Sequence, residues 1–312
     1  MSLTHWPLPM HDIKICYLTK NECQSLSEDT REYSQLVKRM KFRVCLVQMS
    51  CIEGDREKNF QNARKLIEDL DEFDGPQFIV LPELFAIGFR SQDYSNEIKE
   101  FPKVTSEFMQ EVAEEKKAYV VTTDIEPHEG MFYNTLLMVN PEGRILGGYR
   151  KIHPFGGEKE VFKGGNKLAL FDLNGIRVGV QICYDLRFPE VSRQLALYGA
   201  ELIIIPAAWP DPRGHHWDTL LLARAIENQV YVAACNRVRL GYDGKTYYGH
   251  SQIIDPWGKI LTRVNSEERV IVKRGDTSMI KSVRETVTCW EDRLEDGYDR
   301  VSIFNETNTT VK

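Results

Sequence analysis

From Lys41 onward the chain alternates nearly continuous apolar runs with stretches whose apolar positions recur every three or four residues. Residues 42–49 (FRVCLVQM) form such a run; without polar alternation it predicts a strand buried on both faces. Asp55 then precedes a stretch in which Phe60, Ala63, Leu66, Ile67 and Leu70 share one helical face, so an Asp-capped amphipathic helix is expected. Gly75-Pro76 ends it, and 78–81 starts the next strand. The same reading predicts strands at 119–123, 135–139, 144–149, 168–171, 177–182, 202–205, 230–235 and 250–255. Helices are predicted at 105–117, 189–198 and 216–229, with Gly199 just past a helix end. Asn140-Pro141-Glu142-Gly143 has the composition of a hairpin turn. Strands interleaved with helices throughout predict an α/β architecture with covered sheets. No linker, repeat or low-complexity tract divides it, so 40–299 reads as one domain. Residues 1–39 lack a clear period and read as an N-terminal extension packed on the surface, or as an arm that contacts another subunit. Residues 300–312 read as a polar tail.

Composition narrows the function classes. The 312 residues are 42% hydrophobic and 28% charged, ordinary values for a folded protein. Forty basic against forty-six acidic side chains give a net charge of −6, which argues against a nucleic-acid partner. No run approaches the roughly 18 apolar residues of a membrane helix, and the N-terminus lacks an apolar signal core. The seven cysteines are an odd count with no CxxC pair. They suggest free thiols in a reducing compartment, with the cytoplasm the expectation.

Three places combine reactive side chains with an unusual context. Glu83, in VLPE, lies at the C-terminal end of a buried strand, where α/β sheets place ligands; it could equally be a solvated loop acid. Lys151, in YRKIH, again follows a strand, as a surface charge or as a cation held over a reacting carbonyl. Cys183 ends the strand of VGVQICYDLR, and Pro189 then opens a helix. Such an elbow can expose a nucleophile and aim the next backbone N–H, that of Tyr184, at an oxyanion. Free cysteines are more often small buried hydrophobes, the reading given to Cys235.

Together and in this order, LPELFAIGF, YRKIHPF and GVQICYDLRFPE resemble the nitrilase superfamily of carbon–nitrogen hydrolases. The resemblance spans about 40–299 and implies a Glu83–Lys151–Cys183 triad, with Glu158 in GEKEVFKGG matching a further family glutamate near the lysine. The segment between Lys151 and Glu158 is shorter here than in many members. The resemblance also implies a four-layer αββα sandwich that assembles as a homodimer or higher homo-oligomer through stacked sheets. CYDLRFPE, PAAWPDPRGHHW, ARAIENQVYVAACNR and YYGHSQIIDPWG are most similar to the omega-amidase branch, including bacterial members. That implies hydrolysis of the terminal amide of 2-oxoglutaramate, 2-oxosuccinamate or simpler monoamides such as succinamate.

The triad makes chemical sense. A free thiol with a pKa of about 8.5 is only a few per cent thiolate at neutral pH, so it needs a base or a cation. Glu83 is expected to take the Cys183 proton and later activate water. Lys151 and the Tyr184 N–H would hold the tetrahedral oxyanion, one such donor being worth ~3 kcal/mol. Glu158 would fix Lys151 or position the leaving ammonia. No step needs a cofactor or a metal, and His215-His216 has no spaced partner for one. Arg187 suits a bidentate carboxylate, or a helix-start salt bridge. Trp209 could line the pocket or fill the core. Phe85 and Tyr133 are weaker candidates. The competing functions are an N-carbamoyl amino acid amidohydrolase, another aliphatic amidase or a nitrilase, all on the same triad. A non-catalytic interaction scaffold or a thiol sensor at Cys183 would be a different class.

Overall fold

The computed structural model describes residues 39–89, 101–173, 175–241, 244–294 and 298. The expectations for the extension before Arg39 and for the tail 300–312 lie outside the described residues. The first half contains β1 (Lys41–Gln48), α1 (Arg56–Ile67), β2 (Gln77–Val80), α2 (Phe101–Lys116), β3 (Tyr119–His128), β4 (Met131–Val139) and β5 (Ile145–Arg150). The second contains β6 (Ala169–Leu173), β7 (Ile176–Val180), α3 (Pro189–Leu197), β8 (Leu202–Ala207), α4 (Gly214–Asn228) and β9 (Tyr231–Asn236). A short ribbon, β10 (Val238–Leu240) and β11 (Thr246–Tyr248), precedes β12 (Gln252–Ile254), β13 (Ile260–Arg263), β14 (Arg269–Asp276) and α5 (Ser278–Thr286).

Two six-stranded sheets result, ordered β14-β1-β2-β3-β4-β5 and β13-β12-β9-β8-β7-β6. Strands β1, β2 and β3 run parallel, as do β7, β8 and β9. Side-chain alternation explains why β1 carries no polar face. Val44 and Leu46 join Phe78 and Val80 in the core shared with Val178, Val180 and Ile204 of the second sheet. Their neighbours Cys45, Val47 and Ile79 pack instead with Ala63 of α1 and Met109 and Val112 of α2. Phe42 meets Tyr231 edge-to-face at 5.1 Å, tying sheet to sheet. On the far side of the second sheet, a Cβ added to Gly179 would meet the Leu195 Cβ at 3.1 Å, so glycine lets α3 seat closely on β7. The order helix, sheet, sheet, helix is the four-layer αββα sandwich that the resemblance implied.

The expected caps and turns form as well. The Asp55 carboxylate accepts the Lys58 N–H at 3.1 Å. Gly143 closes the β4–β5 turn by donating to the Asn140 carbonyl at 2.9 Å. Strand β14, absent from the sequence expectations, pairs antiparallel with all of β1, from Lys41↔Asp276 to Gln48↔Arg269. Among the described residues, no helix is long and apolar enough to cross a membrane.

One buried acid in this frame is costly. Asp124 on β3 is buried, and among the described residues its Oδ2 has no hydrogen-bond partner, although Oδ1 accepts the Ile125 N–H at 2.7 Å. Burial pushes its pKa up to about 7, against partial lowering by that N–H and by the nearby Arg56 and Thr105. Between the ordinary value and 7 the folded chain therefore holds a proton that the unfolded chain releases, and stability falls as pH rises through this window. Asp124→Asn removes that loss, so the variant should gain ~2–4 kcal/mol over the wild type near pH 8 and little near pH 4. Thermal melting across that range checks this; an advantage that does not grow with pH would contradict it.

Candidate active site

The strand ends of both sheets meet at one cleft. Glu83 follows β2 and is gripped on either side by β3: the Thr122 hydroxyl donates to the Pro82 carbonyl at 2.8 Å, and the Leu84 N–H donates to Thr123 Oγ1 at 2.8 Å. Leu84 takes a left-handed conformation, φ +48°, to complete this tight turn. Lys151 follows β5, with its N–H donating to the Asn134 carbonyl at 2.8 Å. Cys183 follows β7 and also lies in the left-handed region, φ +44°, a strained backbone for a side chain with a Cβ. Strain of this kind at a strand-to-helix turn is what the elbow reading anticipates.

The structure brings Glu83, Lys151, Glu158 and Cys183 together. Lys151 Nζ donates to Glu83 Oε1 at 2.7 Å and to Glu158 at 2.8 and 3.1 Å, with the lysine 1% and Glu83 0% exposed. Glu83 also accepts the Asn134 amide at 2.8 Å on Oε1 and the Ala208 N–H at 3.0 Å on Oε2. The second sheet thus helps to aim a carboxylate carried by the first. Cys183, 7% exposed, lines the cleft together with Glu158.

Electrostatics follow from the burial. Burial works against the Lys151 ammonium, but Glu158, Glu83 and Cys183 outweigh it and hold its pKa well above the ordinary value, so Lys151 stays a cation. Burial also pushes Glu158 above the usual carboxylate range, partly offset by Lys151. The Cys183 thiol is raised well above its ordinary value, by burial first and by the Glu83 charge second, with Lys151 opposing. At rest Cys183 is therefore a neutral thiol, which would have to lose its proton before or as its sulfur attacked a substrate. Cys235, the packing cysteine, is buried in β9 and its thiol donates to the Val47 carbonyl at 3.4 Å.

Asp185 locks the two halves together, a role that sequence reasoning did not assign. Its fully buried carboxylate accepts the Tyr149 hydroxyl at 2.8 Å, the His153 N–H at 3.0 Å and the Ile182 N–H at 3.1 Å. Tyr149 and His153 flank Lys151, and Ile182 precedes Cys183, so one acid sets the lysine and the cysteine in register. From the outer layer, Arg224 of α4 donates twice to the Leu186 carbonyl, at 2.8 and 3.2 Å. An acid two residues past Cys183 was visible in the chain, but its partners Tyr149 and His153 lie 36 and 32 residues away and leave no local pattern.

Beyond Glu158 and Cys183 lies an open cleft. Tyr184, Arg187 and Trp209 line it. Trp209 satisfies both of its readings: it is 2% exposed, in the core, yet forms one wall of the cleft. Arg187 makes no helix-start salt bridge among the described residues. Its guanidinium lies 4.6 Å from the Trp209 ring centroid and 3.2 Å from His216 Nδ1. Phe85 is a core side chain, and Tyr133 lies beneath the Arg150 guanidinium at 4.1 Å.

Residues 43–285 match the carbon–nitrogen hydrolase family. The chain is 33% identical over 262 residues to the 2-oxoglutaramate amidase of Bacillus subtilis (strain 168), covering 83% of this chain and 100% of that protein. It is 32% identical over 269 residues to an omega-amidase of Xenopus laevis, covering 83% of this chain and 97% of the relative. Among solved structures, Nit3 of Saccharomyces cerevisiae, a member of branch 10 of the nitrilase superfamily, aligns with a TM-score of 0.73 at 31% identity, over 84% of this chain and 97% of that one. With its fold, its strand-end cleft and these likenesses in agreement, the chain belongs to the carbon–nitrogen hydrolases of the nitrilase superfamily, enzymes that cleave carbon–nitrogen bonds other than peptide bonds.

Proposed function

We propose that this protein hydrolyses the terminal amide of small carboxylated amides, of the 2-oxoglutaramate or succinamate type, through a thioester on Cys183. The observation that carries the reading is the disposition of charge along the cleft. A buried ammonium sits between two carboxylates at the thiol end, and Arg187, without a carboxylate partner among the described residues, faces the same cleft. Glu83 accepts the thiol proton as Cys183 Sγ attacks the amide carbon, and the Lys151 ammonium and the Tyr184 N–H hold the oxyanion. The tetrahedral intermediate collapses by breaking the carbon–nitrogen bond; the nitrogen takes the proton from Glu83 and leaves as ammonia. Water, deprotonated by Glu83, then attacks the thioester, releasing the carboxylate product and returning the proton to the thiol. Glu158 fixes Lys151 through its two short contacts.

Ammonia release across monoamides, carbamoyl amino acids and nitriles tests the substrate class. Acid-bearing monoamides should exceed their neutral analogues in kcat/KM by at least ~100-fold, because a half-buried guanidinium left without its charged partner costs far more than a lost methylene. Equal rates would remove the carboxylate anchor and leave the triad standing. Faster cleavage of an N-carbamoyl amino acid would assign the protein to that reaction instead. The same reading carries a homodimer in the cytoplasm. The exposed apolar side chains of Tyr198 and Ile226, at the ends of α3 and α4, support pairing through those helices. Light scattering that gives a monomer would exclude the pairing.

A further inference from the structure

Arg187 shares the cleft with another guanidinium. Arg213, on the turn between β8 and α4, lines it as well. Two contacts hold Arg213 in place: its carbonyl accepts the Trp209 indole N–H at 2.8 Å, and its guanidinium lies 5.1 Å from the Phe155 ring centroid. Phe155 comes from the turn that carries Glu158 and packs on Tyr184 with ring centroids 4.7 Å apart. Arg213 therefore reaches from a loop of the second sheet to a loop of the first, across the cleft that Cys183 opens into.

No ion-pair partner holds either Arg187 or Arg213 among the described residues. They lie near enough for the Arg213 charge to disfavour that of Arg187, adding to the larger effect of burial. Glu158 is the acid on this lining, and both of its oxygens are engaged by Lys151 at 2.8 and 3.1 Å. Like charges gathered without a free acid are unfavourable until an anion enters, and guanidinium forks suit the coplanar oxygens of a carboxylate.

We propose that Arg213 is a specificity-determining residue that works with Arg187 to receive the far carboxylate of the amide and the oxygen beside it, selecting 2-oxo acid monoamides over amino-acid amides. The proposal rests on reading the cleft as a site for carboxylated amides. A 2-oxo acid offers three oxygens to the two guanidiniums. An amino acid places an ammonium at the same carbon, next to cations and with no free carboxylate to receive it.

The test compares wild type, Arg213→Gln and Arg213→Lys on five-carbon monoamides. Their second carbon bears an oxo group, two hydrogens or an ammonium, and pentanamide serves as the uncharged reference. Arg213→Gln should lower the ratio of 2-oxo acid amide to pentanamide in kcat/KM by about tenfold or more, chiefly through KM, and narrow the gap between the oxo and ammonium substrates. Arg213→Lys keeps the charge and should restore much of the first ratio but less of the second, since the fork is lost. Thermal melting of each variant separates a specificity effect from a folding defect. Arg213→Gln with both ratios within about twofold of wild type would overturn the role of Arg213. A wild type without preference for any acid-bearing amide would overturn the reading of the cleft itself, and with it this proposal.

Discussion

Cys183→Ala is expected to abolish amide hydrolysis while leaving the sandwich folded. The side chain is small and lines the cleft, so its loss opens little void; the neighbouring elbow is held by Asp185 and Arg224, which the substitution does not touch. Alanine also tolerates the left-handed φ of +44° about as well as cysteine, since both carry a single Cβ. With no sulfur to form the acyl intermediate, kcat should fall by at least ~10⁴-fold, the scale on which removing a nucleophile acts. Cys235→Ala is the matched control. It deletes a buried thiol that donates to the Val47 carbonyl at 3.4 Å, so it should cost ~1–2 kcal/mol of stability and little rate. Initial rates of ammonia release, set beside thermal melts, separate the two. Substantial turnover by Cys183→Ala would remove the covalent mechanism.

Lys151→Met should be less damaging to the rate than Cys183→Ala but far worse for stability. Methionine keeps an unbranched side chain, one atom shorter, and removes the charge, so the oxyanion of the proposed mechanism would lose a buried donor and kcat should drop ~10²–10³-fold. The same change leaves Glu83 and Glu158, now held by the ammonium at 2.7 and 2.8 Å, as neighbouring buried acids without their cation. Breaking a buried pair on one side costs ~3–5 kcal/mol. The loss has a pH signature. Stranded buried acids hold protons more tightly than in the unfolded chain, so the variant should be relatively more stable in acid and lose stability as pH rises through the carboxylate range. Melting curves at several pH values, together with kcat, check both halves. A variant with near-normal kcat would show that another group holds the oxyanion.

Much of this arrangement was legible in the chain because it is written locally. The strands buried on both faces, the Asp55 cap, Pro189 at the start of α3 and the left-handed Gly199 each depend on a few adjacent residues. Residues placed at strand ends converge because parallel strands deliver their ends to one edge of a sheet, and two such sheets pack here with their ends together. What the chain concealed is carried by distance. Strand β14 has arginines and lysines among its valines because much of it faces solvent, and only its pairing with β1 makes it a strand. Asn134 aims Glu83 from 51 positions away, and Asp185 ties together segments more than 30 positions apart. Nothing local marks the contact of Arg213; only the fold sets its guanidinium over Phe155 on the cleft.

The thioester itself is the most direct object of measurement. Wild-type protein turning over a saturating carboxylated monoamide, quenched in acid and mapped by mass spectrometry, should carry the substrate's acyl group, the mass of the amide less ammonia, on the peptide containing Cys183. Cys183→Ala treated in the same way should carry none. An acyl group on any other residue, or an unmodified Cys183 peptide alongside a Cys183→Ala protein that still releases ammonia, would contradict the mechanism.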